Sequence, residues 1–163
     1  MIVETPEAMA ELGAVIARQL RAGDLILLNG ELGAGKTTFT RGLGEALGVR
    51  GAVTSPTFVL ARTHPVEDAG GRAESRPPLV HVDAYRLGSA MELDDLDIDY
   101  AGSIVVVEWG AGLLDGVAES WLELDIERPH GGDPDVEVEP RTVTVTGHGP
   151  RWQKLEWLDA AGH

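Results

Sequence analysis

The chain opens with a stretch whose apolar positions predict an amphipathic helix over residues 6–21. Thr5 is a favoured N-cap residue, and Pro6 suits the first helical position because the N–H that proline lacks would have no partner there. Apolar residues then recur every three or four positions, which places them on one helix face: Met9, Leu12, Val15, Ile16 and Leu20.

Short apolar runs of strand length follow. Residues 25–28 form the first run, and a second amphipathic helix is predicted from Thr38 onward. Residues 79–83 and 104–107 are two further strand-like runs, and the latter is the most β-prone segment of the chain. Strands that alternate with helices indicate an α/β fold whose central strands are parallel.

The last third of the chain has a different pattern. Residues 121–128 and 141–146 alternate between apolar and polar side chains, which predicts an antiparallel pair of half-buried strands at the edge of the sheet. Residues 148–163 form a C-terminal extension, in which four apolar residues suggest a short helix packed onto the domain: Trp152, Leu155, Trp157 and Leu158.

The chain is expected to form a single domain over residues 1–163, because this length suits one hydrophobic core. Residues 64–78 and 129–140 are polar and rich in glycine and proline, so we expect surface loops there.

Residues 30–37 carry the chain's most specific motif. From Gly30 to Thr37 they read G-x-x-x-x-G-K-T, between the predicted strand and the second predicted helix. Glycines let backbone N–H groups converge on phosphate oxygens, and the helix start adds partial positive charge. Lys36 can reach the β- and γ-phosphates of a nucleotide, and the hydroxyl of Thr37 can ligate Mg²⁺. This stretch is therefore a candidate triphosphate site.

Two of the predicted strands end in a carboxylate, at Asp83 and at Glu108. Ligands of open α/β sheets bind at the carboxyl ends of the strands. Two acids delivered there beside Thr37 would suit a metal ligand and a water-orienting group of an ATPase. The residues themselves leave open which of the two acids ligates the metal.

Residues 52–62 combine strand-like side chains with the hydroxyl-rich sequence Thr54-Ser55-Pro56-Thr57. Hydroxyl groups at the lip of a phosphate site would suit a sensor of the γ-phosphate. An edge strand with a proline bend explains the same pattern equally well.

Charge and composition limit the partners. The net charge is −14, with 13 basic and 27 acidic residues, and it argues against direct, tight nucleic-acid binding. The chain has no cysteine, so thiolate metal sites and disulfides are excluded. We expect a cytoplasmic protein, because neither a membrane span nor a signal peptide is apparent.

Four ordered motifs resemble the TsaE (YjeE) family: G-E-L-G-A-G-K-T-T-F, T-S-P-T-F, H-V-D-A-Y-R-L and V-V-E-W. The resemblance covers about residues 3–147. The family consists of bacterial ATPases needed for the threonylcarbamoyladenosine modification of tRNA. The resemblance implies a P-loop NTPase-like, three-layer α/β fold with a mixed, mostly parallel sheet and an antiparallel C-terminal edge.

The resemblance also implies a set of site residues. The metal ligands of the family match Thr37 and Glu108, its functional aspartate matches Asp83, and Trp109 matches the tryptophan that follows the glutamate. A contact with the base matches Thr5 and Pro6, more weakly. The phosphate-binding loop of the family matches Gly30, Leu32, Gly33, Ala34, Gly35, Lys36, Thr37 and Thr38.

ATP or ADP and Mg²⁺ are the implied cofactors, with slow hydrolysis. The implied partner is the TsaB–TsaD complex, so that tRNA is approached only indirectly and no membrane is involved. Three alternatives stay open. They are a small-molecule or nucleotide kinase, a GTP-dependent switch, and an assembly factor that binds nucleotide without hydrolysing it. The lack of an N-K-x-D motif weighs against the GTP-dependent switch.

Overall fold

The computed structural model describes residues 1–30, 35–49, 61–64, 77–83, 98–108, 119–127, 140–155 and 158. The strands among them are β1 (Ile2–Val3), β2 (Leu25–Gly30), β3 (Ala61–His64), β4 (Leu79–Asp83), β5 (Ile104–Glu108), β6 (Trp121–Glu127) and β7 (Arg141–His148). The helices are α1 (Pro6–Ala17) and α2 (Lys36–Leu47), and a 3₁₀ turn spans Pro150–Trp152.

The seven strands form one mixed sheet in the order β1-β7-β6-β2-β5-β4-β3. The central strands β6, β2, β5 and β4 run parallel to their neighbours in this group, while β3, β7 and β1 pair antiparallel at the two ends. The predicted fold class is confirmed, and so is the antiparallel pairing of β6 with β7. The outermost strand on that side is β1, which is too short to give a sequence signal.

Helix α1 begins where the sequence predicted. The N–H of Ala8 donates a hydrogen bond to the Thr5 side-chain oxygen at 3.0 Å, so Thr5 is the N-cap, and Pro6 is the first helical residue. The helix ends at Ala17 and not at residue 21. Tighter i→i−3 bonds replace the α-helical ones after it, and the chain turns at Gly23, whose φ is +96°. The helices in the described part of the chain are too short or too polar to span a bilayer.

Both helices pack on one face of the sheet through a close crossing. A Cβ atom at Gly42 of α2 would overlap the backbone of Ala10 in α1, and a Cβ at Gly13 would lie 2.8 Å from the Leu43 nitrogen. Two glycines therefore bring the helix backbones into direct contact. The same face holds the main core, which includes Ile16, Phe39 and strand residues such as Leu28 and Val106.

The opposite face of the sheet is also buried. Its apolar residues are at most 5% exposed, and Ile98, Tyr100 and Trp121 pack against them. Apolar residues on both faces are typical of the parallel strands of an α/β sheet. The core residues of this face are Leu25, Leu27, Val80, Val82, Val105 and Val107.

The C-terminal extension contributes to the main core. Trp152 and Leu158 are buried in the cluster that contains α1 and α2 residues. Arg151 binds the carboxylate of Asp24 with two N–H groups at 3.1 Å each, and it donates a third hydrogen bond to the Gln19 carbonyl at 2.6 Å. The extension is thereby fixed to the turn that precedes β2.

The glycine crossing makes an unusual prediction for Gly42→Ala. Alanine is normally favoured over glycine in a helix interior by about 1 kcal/mol. Because the new methyl group would overlap the backbone of α1, we expect the free energy of unfolding to fall by about 1–3 kcal/mol. Urea denaturation measures it. The control is Ala46→Gly on the exposed side of α2, which should lose about 1 kcal/mol from helix propensity alone. A stabilised Gly42→Ala variant would contradict the crossing.

The Arg151–Asp24 pair gives a second prediction. Asp24 is 5% exposed and would keep a buried carboxylate without its guanidinium partner in Arg151→Ala. We expect this variant to lose about 1.5–3 kcal/mol of the free energy of unfolding. Arg18→Ala is the control, since Arg18 faces Glu11 across 4.0 Å with both side chains about two-thirds exposed. It should change stability by less than about 0.5 kcal/mol. Equal losses in both variants would refute the assignment.

Candidate functional site

Lys36 is the first residue of α2, and it lies beside Gly30, the last residue of β2. Its ammonium group donates a hydrogen bond to the carbonyl oxygen of Gly30 at 2.5 Å, and the residue is only 7% exposed. The glycine motif thus begins at a strand end and finishes at a helix start, which is the context that a phosphate loop requires. The side chain of Lys36 spans the two ends of that loop.

Gly35 has a conformation that favours glycine. Its φ is +115°, in the left-handed region, and a Cβ atom would lie 3.3 Å from the Met9 methyl group. Met9 belongs to the first turns of α1, since its N–H bonds to the Thr5 carbonyl at 3.0 Å. The beginning of α1 therefore lies beside Gly35, and the contact of Thr5 and Pro6 with a base stays a prediction.

The starts of the two helices differ chemically. Helix α1 has the Thr5 cap and an acidic residue, Glu7, in its first turn. In the described part of the chain, α2 has no side-chain cap and no acidic residue in its first turn. The first N–H groups of a helix lack intrahelical acceptors and carry partial positive charge. Together with Lys36, this end of α2 is suited to an anion.

The two predicted acids end neighbouring strands. Asp83 is in register with Glu108, and Glu108 is in register with Leu28 of β2. All three strands are parallel, so their carboxyl ends share the edge at which Gly30 and Lys36 lie. The prediction that both acids reach this edge is confirmed for the backbone, and their chemical roles stay predictions.

Glu108 has a partner that sequence reasoning missed. Its Oε2 atom lies 3.0 Å from Nε2 of His81 on β4, and the two side chains are 5% and 0% exposed. His81 stands two residues before Asp83 in the H-V-D sequence. Residues two positions apart lie on the same face of a strand, so this spacing places the histidine on the same face of β4 as the strand-end residue. The spacing is the sequence signal that could have identified His81.

The donor set suits a small, hard cation. Thr37 is half-buried at the start of α2, and Glu108 supplies a carboxylate at the same edge. Mg²⁺ is commonly bound by one or two such oxygen ligands together with substrate phosphates. Among the described residues, no three His, Asp or Glu side chains gather into a site that could hold a metal by themselves.

Several predicted site residues lie outside the described ones. The side chain of Asp83 also lies outside the description, although its backbone is in β4. The predicted γ-phosphate sensor belongs to the same group. The residues concerned are Leu32, Gly33, Ala34, Ser55, Pro56, Thr57 and Trp109.

Comparisons with known proteins identify the relatives of this chain. The family model described as "Threonylcarbamoyl adenosine biosynthesis protein TsaE" matches residues 3–133. A Streptomyces coelicolor protein named "tRNA threonylcarbamoyladenosine biosynthesis protein TsaE" is 58% identical over 94% of this chain and 100% of its own length. A Bacillus subtilis protein of the same name is 34% identical over 93% of this chain and 85% of its length.

A solved structure agrees with these relatives. The crystal structure of Bacillus subtilis YdiB superposes with a TM-score of 0.70 at 28% sequence identity, covering 99% of this chain and 91% of that one. The family match spans most of the chain and includes the glycine loop and both strand-end acids. The chain belongs to the TsaE family of threonylcarbamoyl adenosine biosynthesis proteins.

Proposed function

We propose that this protein is the ATP-binding component of tRNA threonylcarbamoyladenosine biosynthesis and that it hydrolyses ATP slowly with Mg²⁺. The observation that carries the proposal is the position of Lys36, held against Gly30 at the uncapped start of α2. The pathway is inferred from the names of the relatives. The ligand is inferred from the position of Lys36, because one ammonium group and a helix start together favour binding of a phosphate chain.

The residues of the site divide the work. The backbone N–H groups from Gly35 to Thr38 donate to phosphate oxygens, and Lys36 exchanges its carbonyl partner for the β- and γ-phosphates. Thr37 and Glu108 hold Mg²⁺, directly or through water, and Asp83 orients the attacking water or completes the metal shell. The metal, when bound, neutralises charge that develops on the transferred phosphoryl group.

The charge of the chain supports an indirect role in tRNA chemistry. A protein with a net charge of −14 is poorly suited to grip a phosphate backbone. We therefore infer that it acts through the TsaB–TsaD complex, in which TsaD carries out the transfer, and that nucleotide turnover changes its own state within that assembly. Hydrolysis that rises when the partners are added would support this model.

Lys36→Ala tests the nucleotide site. Loss of a charge-assisted hydrogen bond of about 1.5–3 kcal/mol should weaken ADP binding by about tenfold to a hundredfold. Isothermal titration calorimetry measures it. The chain has one other lysine, Lys154, which is exposed, so Lys154→Ala is a matched control and should bind like the wild type. Equal affinities in the two variants would end the proposal.

Glu108→Gln and Asp83→Asn test the metal chemistry. Each keeps the size of the side chain and removes the carboxylate charge. We expect Glu108→Gln to weaken the Mg²⁺ dependence of ADP binding by about tenfold or more, because charged ligands bind cations far better than neutral amides. Binding without metal should not change.

The same two variants are assayed for ATP hydrolysis, alone and with TsaB–TsaD. Wild-type hydrolysis in both would exclude the assigned roles. Hydrolysis absent from the wild-type protein under both conditions would favour a non-hydrolysing assembly factor. Phosphate transfer to an added metabolite, much faster than hydrolysis, would favour the kinase.

A further inference from the structure

The contact between His81 and Glu108 is a polar interaction at the site that the proposed roles do not use. Both side chains are almost completely buried, and their atoms Nε2 and Oε2 lie 3.0 Å apart. His81 is on β4 and Glu108 is on β5, and these two strands pair in parallel. The contact therefore links two adjacent strands just below the carboxyl edge.

We propose that His81 is a positioning residue, which donates its Nε2–H to Glu108 and fixes the orientation of that carboxylate towards the Mg²⁺–nucleotide. The inference rests on the proposed function, because it assigns a purpose to His81 only if Glu108 meets the metal. Nothing in the metal role of Glu108 by itself requires a histidine on the neighbouring strand.

The direction of the hydrogen bond follows from the donors available. In its proposed metal-binding role Glu108 is ionised, and an ionised carboxylate only accepts hydrogen bonds, so the proposal places the proton between the two atoms on Nε2 of His81. The other ring nitrogen, Nδ1, is buried and has no hydrogen-bond partner among the described residues. Among the described residues, the imidazole thus makes a single hydrogen bond, through the nitrogen farther from its backbone, and that bond is to Glu108.

The surroundings of His81 hold its ring in place. Its neighbours on the same side of β4 and β5 include Leu79, Ile104 and Val106, all of them buried in the main core. A leucine would fill such a position without the cost of burying a polar ring. The imidazole has a polar contact that explains its presence, and this contact is to Oε2 of Glu108.

A fixed carboxylate binds a cation better than a mobile one. A free glutamate side chain loses rotamer freedom when it takes up a single ligating orientation. A hydrogen bond already made in the folded protein removes part of that cost. Outer partners of this kind typically change metal affinity by about 10–100-fold when they are removed.

The test compares His81→Gln with His81→Asn. The amide nitrogen of glutamine lies as many bonds from the backbone as Nε2 of histidine, so it can still donate to Glu108. Asparagine is equally polar, but its amide nitrogen lies at the Nδ1 position and falls short. The two variants thus differ in reach, and both bury an amide in the same place.

The readout is ADP affinity by calorimetry, with Mg²⁺ and with a chelator. We expect His81→Asn to lose about tenfold or more of the Mg²⁺-dependent enhancement and His81→Gln to stay within about threefold of the wild type. Affinity in the chelator should be the same in all three proteins. The inference is overturned if the two variants behave alike, or if the affinity in chelator falls in parallel with the affinity in Mg²⁺.

If His81→Asn does not fold, nitrogen-15 NMR of the His81 ring in the wild-type protein still tests the inference. The ring should carry its proton on Nε2, both without ligand and with Mg²⁺–ADP. A proton on Nδ1 with none on Nε2, or loss of the Glu108 hydrogen bond when Mg²⁺–ADP binds, would overturn the inference. If wild-type ADP binding does not respond to Mg²⁺ at all, the proposed function fails, and the role of His81 fails with it. A normal wild-type response with unaffected variants removes only the role of His81.

Discussion

The parallel register of β2, β5 and β4 determines where chemistry can occur in this protein. Leu28 pairs with Glu108, and Glu108 pairs with Asp83, so three strand ends reach the same edge. These strands are buried on both faces by apolar residues. The register also places His81 and Glu108 on the same face of the sheet, because a slip by one residue would turn every side chain of a strand to the other face. The rigid part of the site is therefore a property of the sheet.

The second half of the site depends on how α2 is held above that edge. The close crossing with α1 at Gly13 and Gly42 leaves little freedom for α2 to slide or rotate. The position of Lys36 relative to Gly30 follows from this packing, together with the short connection between β2 and α2. Helix packing thus positions the start of α2 on one side of the glycine loop, and strand register positions the strand ends on the other.

Much of this arrangement could be predicted because its signals are local. The glycine motif, the apolar strands and the Thr5 cap are all readable within a few residues. The structure has the strands and the cap at the expected places, and the described ends of the motif lie at the end of β2 and the start of α2. The features that could not be predicted from the sequence depend on contacts between residues far apart in the chain. His81 and Glu108 are 27 positions apart, and Asp24 and Arg151 are 127 apart. No periodicity reports which strands will be neighbours, and a two-residue strand such as β1 has no pattern of its own. The end of α1 was missed because Leu20 continues the apolar spacing after the hydrogen bonding has changed.

The position of Trp152 in the main core has a consequence for the order of events during synthesis. Strand β1 pairs with β7, with Ile2 opposite Thr142, and the core that surrounds α1 is completed by Trp152 and Leu158. A ribosome must therefore translate at least as far as Leu158 before the first helix can bury its apolar face fully. Chains with such distant pairings fold slowly and expose apolar surface in the meantime. The nascent protein is expected to become resistant to proteases only after Leu158 has left the exit tunnel.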